Sequence, residues 1–228
     1  MIRLALVGRN ISHSKSPAIY RRLLGDEINY QLLDYSDSSL IPSAEDLLTE
    51  FTGVSITTPY KEHFLSEVQL SSELSELAAI NCLYRNSQGM ICGANTDYMA
   101  LEELITRDIT SRDDWDVVIL GSGAMARVCG HILKLKGKSF SQVSRRSHGP
   151  LEFFDLGHIS SRATCIINCC ARDFHFRGGA AAGSHFWDLN YARPSEKVEI
   201  ERLGLSYQDG EELLFLQAKH ALSKWKLA

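Results

Sequence analysis

What the chain lacks narrows it first. No apolar run approaches the ~18 residues that a membrane-spanning helix needs, so no segment reads as transmembrane. Long basic blocks are also missing, and 24 Lys and Arg against 28 Asp and Glu leave a formal net charge of −4. That balance gives no electrostatic footprint for nucleic acid or for an anionic membrane surface. None of the cysteines (Cys82, Cys92, Cys129, Cys165, Cys169 and Cys170) forms a C-x-x-C pair. In a reducing compartment they read as small buried hydrophobes, and their spacing fits no usual zinc site, so no metal is expected. The opening stretch Met1–Gly8 reads as a strand running into a glycine and lacks the pattern of a secretory leader. A cytoplasmic protein is expected. Repeats and low-complexity tracts are absent.

What is present is an ordinary globular composition, 44% hydrophobic and 23% charged, over 228 residues. That length suits one large or two modest domains. Strand-like runs fall at 2–8, 29–34, 52–57, 80–85, 116–120, 139–143, 164–168 and 185–189. Helix-like runs fall at 17–24, 43–50, 61–67, 72–78, 98–107, 123–136, 195–203 and 210–226. Such alternation predicts an α/β fold with mostly parallel sheets. The polar seam Thr106–Asp114 precedes a strand and marks the expected domain boundary. In the last helix Leu214, Ala218, Ala221 and Trp225 form one apolar stripe, with Gln217 on the same side. A buried amide needs a partner, either backbone or a ligand.

The strand Val117–Leu120 runs into Gly121-Ser122-Gly123-Ala124-Met125-Ala126, a G-x-G-x-x-A turn that opens a helix. Glycines there allow a tight bend and close approach of backbone to a pyrophosphate, and the helix offers free N–H groups. The end of the next strand selects the cofactor, since an acid about 20 residues on would bond the ribose hydroxyl of NAD. Here Ser144-Arg145-Arg146 has no acid and two guanidinium groups, which match phosphate geometry. This favours NADP, with NAD as the alternative and a solvated basic turn as the bland reading.

Three segments of the first half look chemical. Ser12, Ser14 and Ser16 alternate before Pro17, where a helix cap alone would need one of them. A second strand ends in Thr57-Thr58-Pro59-Tyr60-Lys61, and Asn95-Thr96-Asp97 leads into a helix. Taken singly, Lys61 reads as a surface lysine and Asp97 as a cap. Taken together at strand ends in one α/β domain, they read as a pair facing a cleft.

These residues resemble the shikimate dehydrogenase family over nearly the whole chain. Its S-x-S-x-S-P falls at Ser12–Pro17, its G-x-N-V-T-x-P-x-K at Gly53–Lys61, and its A-x-N-T at Ala79–Cys82. Its G-x-N-T-D falls at Gly93–Asp97, its nucleotide loop at Gly121–Arg127, and its closing G-x-x-M-L-x-x-Q-A at Gly210–Ala218. The resemblance implies an N-terminal α/β substrate domain and a shortened Rossmann-like dinucleotide-binding domain, with a cleft between them. The expected division is 1–105 with 207–228 for the substrate domain and 106–206 for the NADP domain. It implies NADP-dependent reversible reduction of 3-dehydroshikimate to shikimate by a monomer or homodimer, without metal, nucleic acid or membrane. Ser14 and Ser16 would hold the substrate carboxylate, Thr57, Asn81 and Gln217 the ring hydroxyls, and Lys61 and Asp97 would form the central catalytic pair.

The chain also departs from the pattern. Ser55 stands at the family asparagine and Cys82 at its threonine, while Asn168-Cys169-Cys170-Ala171-Arg172-Asp173 replaces N-x-T-P-x-G-M. The stretch 147–163 holds little convincing helix, although D-x-x-Y persists at Asp188–Tyr191. Two alternatives therefore stand beside the enzyme. One is a shikimate-type ligand-binding or regulatory protein with little catalysis. The other is a dehydrogenase of quinate or a related hydroxylated ring acid.

Overall fold

A computed structural model describes residues 1–70 and 78–227. The chain divides into two compact units, one of Met1–Ala100 with Phe215–Ala228 and the other of Leu101–Leu214. Both are α/β, as the alternation of apolar β-branched and amphipathic runs predicts. Among the described residues no helix is long and apolar enough to cross a membrane.

The first unit holds the strands β1 (Ile2–Gly8), β2 (Ile28–Asp34), β3 (Gly53–Ile56), β4 (Cys82–Arg85) and β5 (Ile91–Ala94) in the order β2-β1-β3-β4-β5. Strand β1 pairs parallel with β2 and β3, while β4 and β5 add antiparallel. One face packs on helix α2 (Ala44–Glu50) through Leu47, Leu48, Phe51, Val54, Ile56 and Phe64. The other is covered by α1 (Ser16–Leu24) and the last turns of the C-terminal helix, through Tyr20, Ala218, Ala221, Leu222 and Trp225. The predicted stripe Leu214, Ala218, Ala221 and Trp225 is buried along its length. Trp225 also donates its indole N–H to the Leu83 carbonyl at 2.9 Å.

Gly53 makes that second face possible. A Cβ built there would lie 2.2 Å from the Trp225 ring, so a larger residue must push the indole aside. Gly53→Ala is expected to cost at least about 1–3 kcal/mol, the usual range for overpacking a dense core. A urea melt of the two proteins reads this directly.

The second unit holds β6 (Asp116–Leu120), β7 (Ser141–Val143), β8 (Thr164–Asn168), β9 (His185–Asp188) and β10 (Ser206–Gln208) in the order β10-β9-β8-β6-β7. Every pair is parallel. Chain order reverses at β6, where β7 lies on one side and β8 on the other. That is the switch point of a doubly wound sheet. Between β7 and β8 the described chain forms only short turns, Arg145–His148 and Leu156–His158, where the six-stranded form of this fold places another strand. The core is Val118, Leu120, Val143, Ile166, Phe176, Phe186 and Ile200.

Some expected elements differ. The segment 61–67 forms successive turns rather than a helix. Its backbone bonds close after three residues, as in His63 N–H to Tyr60 C=O, and the Lys61 carbonyl accepts from Ile80 at 2.8 Å. That takes the acceptor a helix would have offered to residue 65. The helix expected over 72–78 lies outside the described residues except at its last position. Strands β5 and β10 are short, at four and three residues, and neither has an apolar run long enough to announce it. The polar seam continues helix α3 (Thr96–Ile105) as π-type turns over Thr106–Thr110, with Ile109 buried.

Candidate active site

In the first unit the site grows from the carboxyl ends of β1 and β3 and from the start of α3. After β1 the chain turns through Asn10 in the left-handed region, φ 57°. The Asp34 carboxylate at the end of β2 accepts from the Asn10 and Ile11 amides at 2.9 and 3.1 Å. This anchor holds the serine segment, where the Ser14 and Ser16 hydroxyls lie 3.2 Å apart. The motif gave no sign of Asp34; its place at the end of the neighbouring strand was the available signal.

Strand β3 alternates, so Val54 and Ile56 enter the α2 core while Gly53, Ser55 and Thr57 share the opposite face. The Thr57 amide bonds the Val7 carbonyl at 2.9 Å, which fixes the strand end beside β1. Lys61 follows, and its Nζ meets Asp97 Oδ2 at 2.6 Å. The pair is partly exposed, with 24% of the lysine side chain and 11% of the aspartate accessible. Solvent thus reaches the ammonium while the carboxylate is largely enclosed.

Asn81 is tied into the same frame. Its Oδ1 accepts from the Thr96 amide at 2.6 Å and the Thr96 hydroxyl at 3.1 Å, holding the first turn of α3 that carries Asp97. Asn95 donates to the Ala79 carbonyl at 3.0 Å and accepts from the Tyr98 amide, closing the turn from the other side. The structure thus brings Lys61, Asp97 and Asn81 together. Gln217 is half-buried on the C-terminal helix (Glu211–Lys224), and its side-chain amide has no hydrogen-bond partner among the described residues.

Two tyrosines that the sequence reading did not single out belong to this face. Tyr20 and Tyr30 stack with centroids 5.0 Å apart, and Trp225 lies 5.5 Å beyond Tyr20. The Tyr20 hydroxyl is 3.5 Å from the Ser55 hydroxyl, and the buried Tyr30 hydroxyl faces the Ser55 and Ser16 hydroxyls without a hydrogen bond of ordinary geometry. Burial raises both phenol pKa values far above the ordinary tyrosine range, so both stay protonated. Cys82, at the position of a family threonine, is fully buried and its thiol is pushed up to about 12, consistent with a core role.

In the second unit Gly121 has φ 107°, a conformation L side chains rarely adopt. A Cβ there would meet the Cys169 carbonyl group at 3.3 Å, so the loop after β8 presses against it. Ser122, Gly123 and Ala124 are exposed, and Gly123 precedes helix α4 (Ala124–Leu135) with no side chain capping it. The helix N–H groups therefore remain open in a cradle free of side-chain bulk, which fits a pyrophosphate. Met125 is half-buried and Ala126 packs inward. Gln142 donates to the Gly121 carbonyl at 2.8 Å and steadies the turn. After β7, Ser144 is buried and bonds Ser147 at 2.9 Å, while Arg145 and Arg146 are exposed on the next turn.

The altered segment after Asn168 is held by a buried charge cluster that sequence spacing did not reveal. Asp188, entirely buried, accepts from Asn168 Nδ2 at 3.0 Å and from Arg193 at 2.8 Å. Arg193 also donates to the Phe174 carbonyl at 2.5 Å and faces Glu196 at 3.4 Å. Glu196 in turn receives His175 at 2.6 Å and the Phe176 amide at 3.0 Å. Its members lie up to 28 residues apart in sequence, which is why D-x-x-Y was the only trace of it.

Fold and loop together define a two-unit α/β chain, with a Rossmann-like nucleotide-type unit and a separate unit carrying a Lys–Asp pair at its strand ends. Residues 6–83 match the model of the shikimate dehydrogenase substrate binding domain. The NADP(+) shikimate dehydrogenase of Saccharolobus solfataricus is 28% identical, covering 96% of this chain and 87% of that protein. Shikimate dehydrogenase from Aquifex aeolicus has the same fold, with a TM-score of 0.79 at 17% identity over 100% of this chain and 93% of that one. The Thermus thermophilus enzyme, solved with NADP(H) and shikimate, superposes with a TM-score of 0.76 at 23% identity, covering 99% and 93%. The chain is similar to shikimate dehydrogenases over nearly its whole length, and residues 6–83 to their substrate binding domain.

Proposed function

We propose that the protein catalyses the reversible NADP-dependent interconversion of 3-dehydroshikimate and shikimate. The observation that carries this reading is the Lys61–Asp97 pair at 2.6 Å, set at the strand ends of a domain matched to shikimate binding. The proposed substrate domain, expected over 1–105 with 207–228, corresponds to the unit of Met1–Ala100 with Phe215–Ala228, and the NADP domain, expected over 106–206, to that of Leu101–Leu214. Ser14 and Ser16 bind the ring carboxylate, while Thr57, Asn81 and Gln217 bond the ring hydroxyls. Gly121, Ser122, Gly123, Ala124, Met125 and Ala126 form the backbone cradle for the pyrophosphate.

Reduced NADP, when bound, supplies hydride to the ring carbonyl carbon. Negative charge then develops on the carbonyl oxygen. Lys61 stabilises that charge as an ammonium and delivers the proton that completes the alcohol. Asp97 fixes the ammonium by its 2.6 Å contact and leaves an acceptor for a neighbouring ring hydroxyl. Asn81 keeps Asp97 in place by pinning Thr96.

Absorbance at the reduced-nicotinamide band, with purified protein, shikimate and NADP, tests the reaction. NADPH formation supports it. Absence of turnover with shikimate-induced thermal stabilisation favours a binding protein instead, since a ligand at 100 times its Kd adds about 2.7 kcal/mol. Turnover with quinate alone moves the assignment to that ring acid.

Ser144, Arg145 and Arg146 set the choice of nucleotide. The two exposed guanidinium groups receive the 2′-phosphate, and Ser144 shapes the turn that presents them. Arg145→Ala combined with Arg146→Ala is expected to raise KM for NADP by about 10–100-fold, with KM for NAD changing little. Equal effects on the two nucleotides would remove the arginines from phosphate recognition.

A further inference from the structure

We infer that Tyr20 is a positioning residue that acts through Ser55, the two hydroxyls together supplying a donor to the bound ring acid where the family pattern has a single asparagine. The inference rests on the ring-acid reading of this site. Strand β3 turns Ser55 toward the same face as Thr57, and Ser55 keeps part of its surface accessible, whereas Tyr20 is only 4% exposed. Tyr20 is therefore poised to act on Ser55 rather than to meet substrate itself.

The geometry supports a relay. Tyr20 is clamped between Tyr30 at 5.0 Å and Trp225 at 5.5 Å, and the indole itself rests on the bare backbone of Gly53. Its hydroxyl reaches to 3.5 Å from Ser55 Oγ. A phenol is a stronger acid than an aliphatic alcohol, so the tyrosine donates and the serine accepts. That leaves the Ser55 proton for an acceptor oxygen of the ligand, with the Tyr30 phenol also facing Ser55 from the buried side, and chains of hydroxyls strengthen one another in a low dielectric. A contact of 3.5 Å is longer than an ordinary O–H···O bond, and active-site bonds often tighten only when ligand is bound. The short Ser55 side chain cannot span the distance of an asparagine amide, and the second hydroxyl backs it from behind.

The test is a set of variants assayed with shikimate as the varied substrate at saturating NADP. Tyr20→Phe keeps the aromatic column and removes only the hydroxyl. It is expected to raise KM for shikimate by about 3–10-fold, as loss of one neutral hydrogen bond does, with a much smaller change in kcat and none in KM for NADP. Ser55→Ala is expected to raise KM at least as much, and adding Tyr20→Phe to it should cost nothing further. Ser55→Asn restores a direct donor, so the effect of Tyr20→Phe should vanish in that background. A Tyr20→Phe penalty of equal size in all three backgrounds, or a KM within about twofold of wild type, would overturn the relay. Wild-type protein that neither turns over shikimate nor is stabilised by it would overturn the ring-acid reading itself, a failure visible before any variant is made.

Discussion

Lys61→Ala is expected to lower kcat for shikimate oxidation by about 10²–10⁴-fold, the usual cost of losing a positioned proton-transfer group. The size follows from the role proposed for the pair. The Lys61 ammonium lies 2.6 Å from Asp97, on a segment whose backbone is locked by the Ile80 amide at 2.8 Å. It is therefore preorganised to meet charge that appears on the carbonyl oxygen only as hydride arrives. Alanine removes both the charge and the proton. KM should move far less, because the residues proposed to bind the ring, Ser14, Ser16, Thr57, Asn81 and Gln217, are untouched. Steady-state kinetics with a melting curve for each protein checks this. A kcat within about threefold of wild type, on a folded variant, would take Lys61 out of the proton-transfer role.

Arg193→Ala is expected to destabilise the protein by about 3–5 kcal/mol, because removing one partner of a buried ion pair leaves the other charge uncompensated. Two carboxylates would lose it at once, Asp188 at 0% exposure and Glu196 at 1%. Asp188 would keep its bonds from Asn168, Asn190 and Tyr207, and Glu196 those from His175 and Phe176 with Arg177 at 3.5 Å, which sets the lower end of that range. The Phe174 carbonyl would lose its guanidinium donor, so the segment 169–176 would loosen with it. Urea unfolding measures the free energy. A change under about 1 kcal/mol would show that the remaining amides, His175 and Arg177 carry these charges without Arg193.

Much of this molecule was legible because its motifs are local. The glycine turn after β6 requires particular residues within six positions, and it forms a tight bend with Gly121 at φ 107°. The stripe on the last helix was equally readable, since helical periodicity repeats over fourteen residues. Features that depend on distant partners were hidden. Tyr20 looked like one more apolar residue of α1, because its meaning comes from Ser55, 35 positions away. The segment 61–67 had helical composition but not helical bonding, because Ile80 took the Lys61 carbonyl. The charge cluster around Arg193 was invisible for the same reason, with Asn168, His175 and Asp188 brought to it by strand order.

The division of the chain has a consequence for its synthesis. The face of the first sheet that carries Tyr20 and Cys82 is covered by Ala218, Ala221, Leu222 and Trp225, which are translated more than a hundred residues later. The second unit, Leu101–Leu214, has all its own residues before the covering turns of that helix, from Phe215 onward, emerge. Domains otherwise tend to fold in order from the N-terminus as they leave the ribosome. Here the unit made first is completed last, and the nascent chain carries a sheet face covered only by α1 until the final helix arrives.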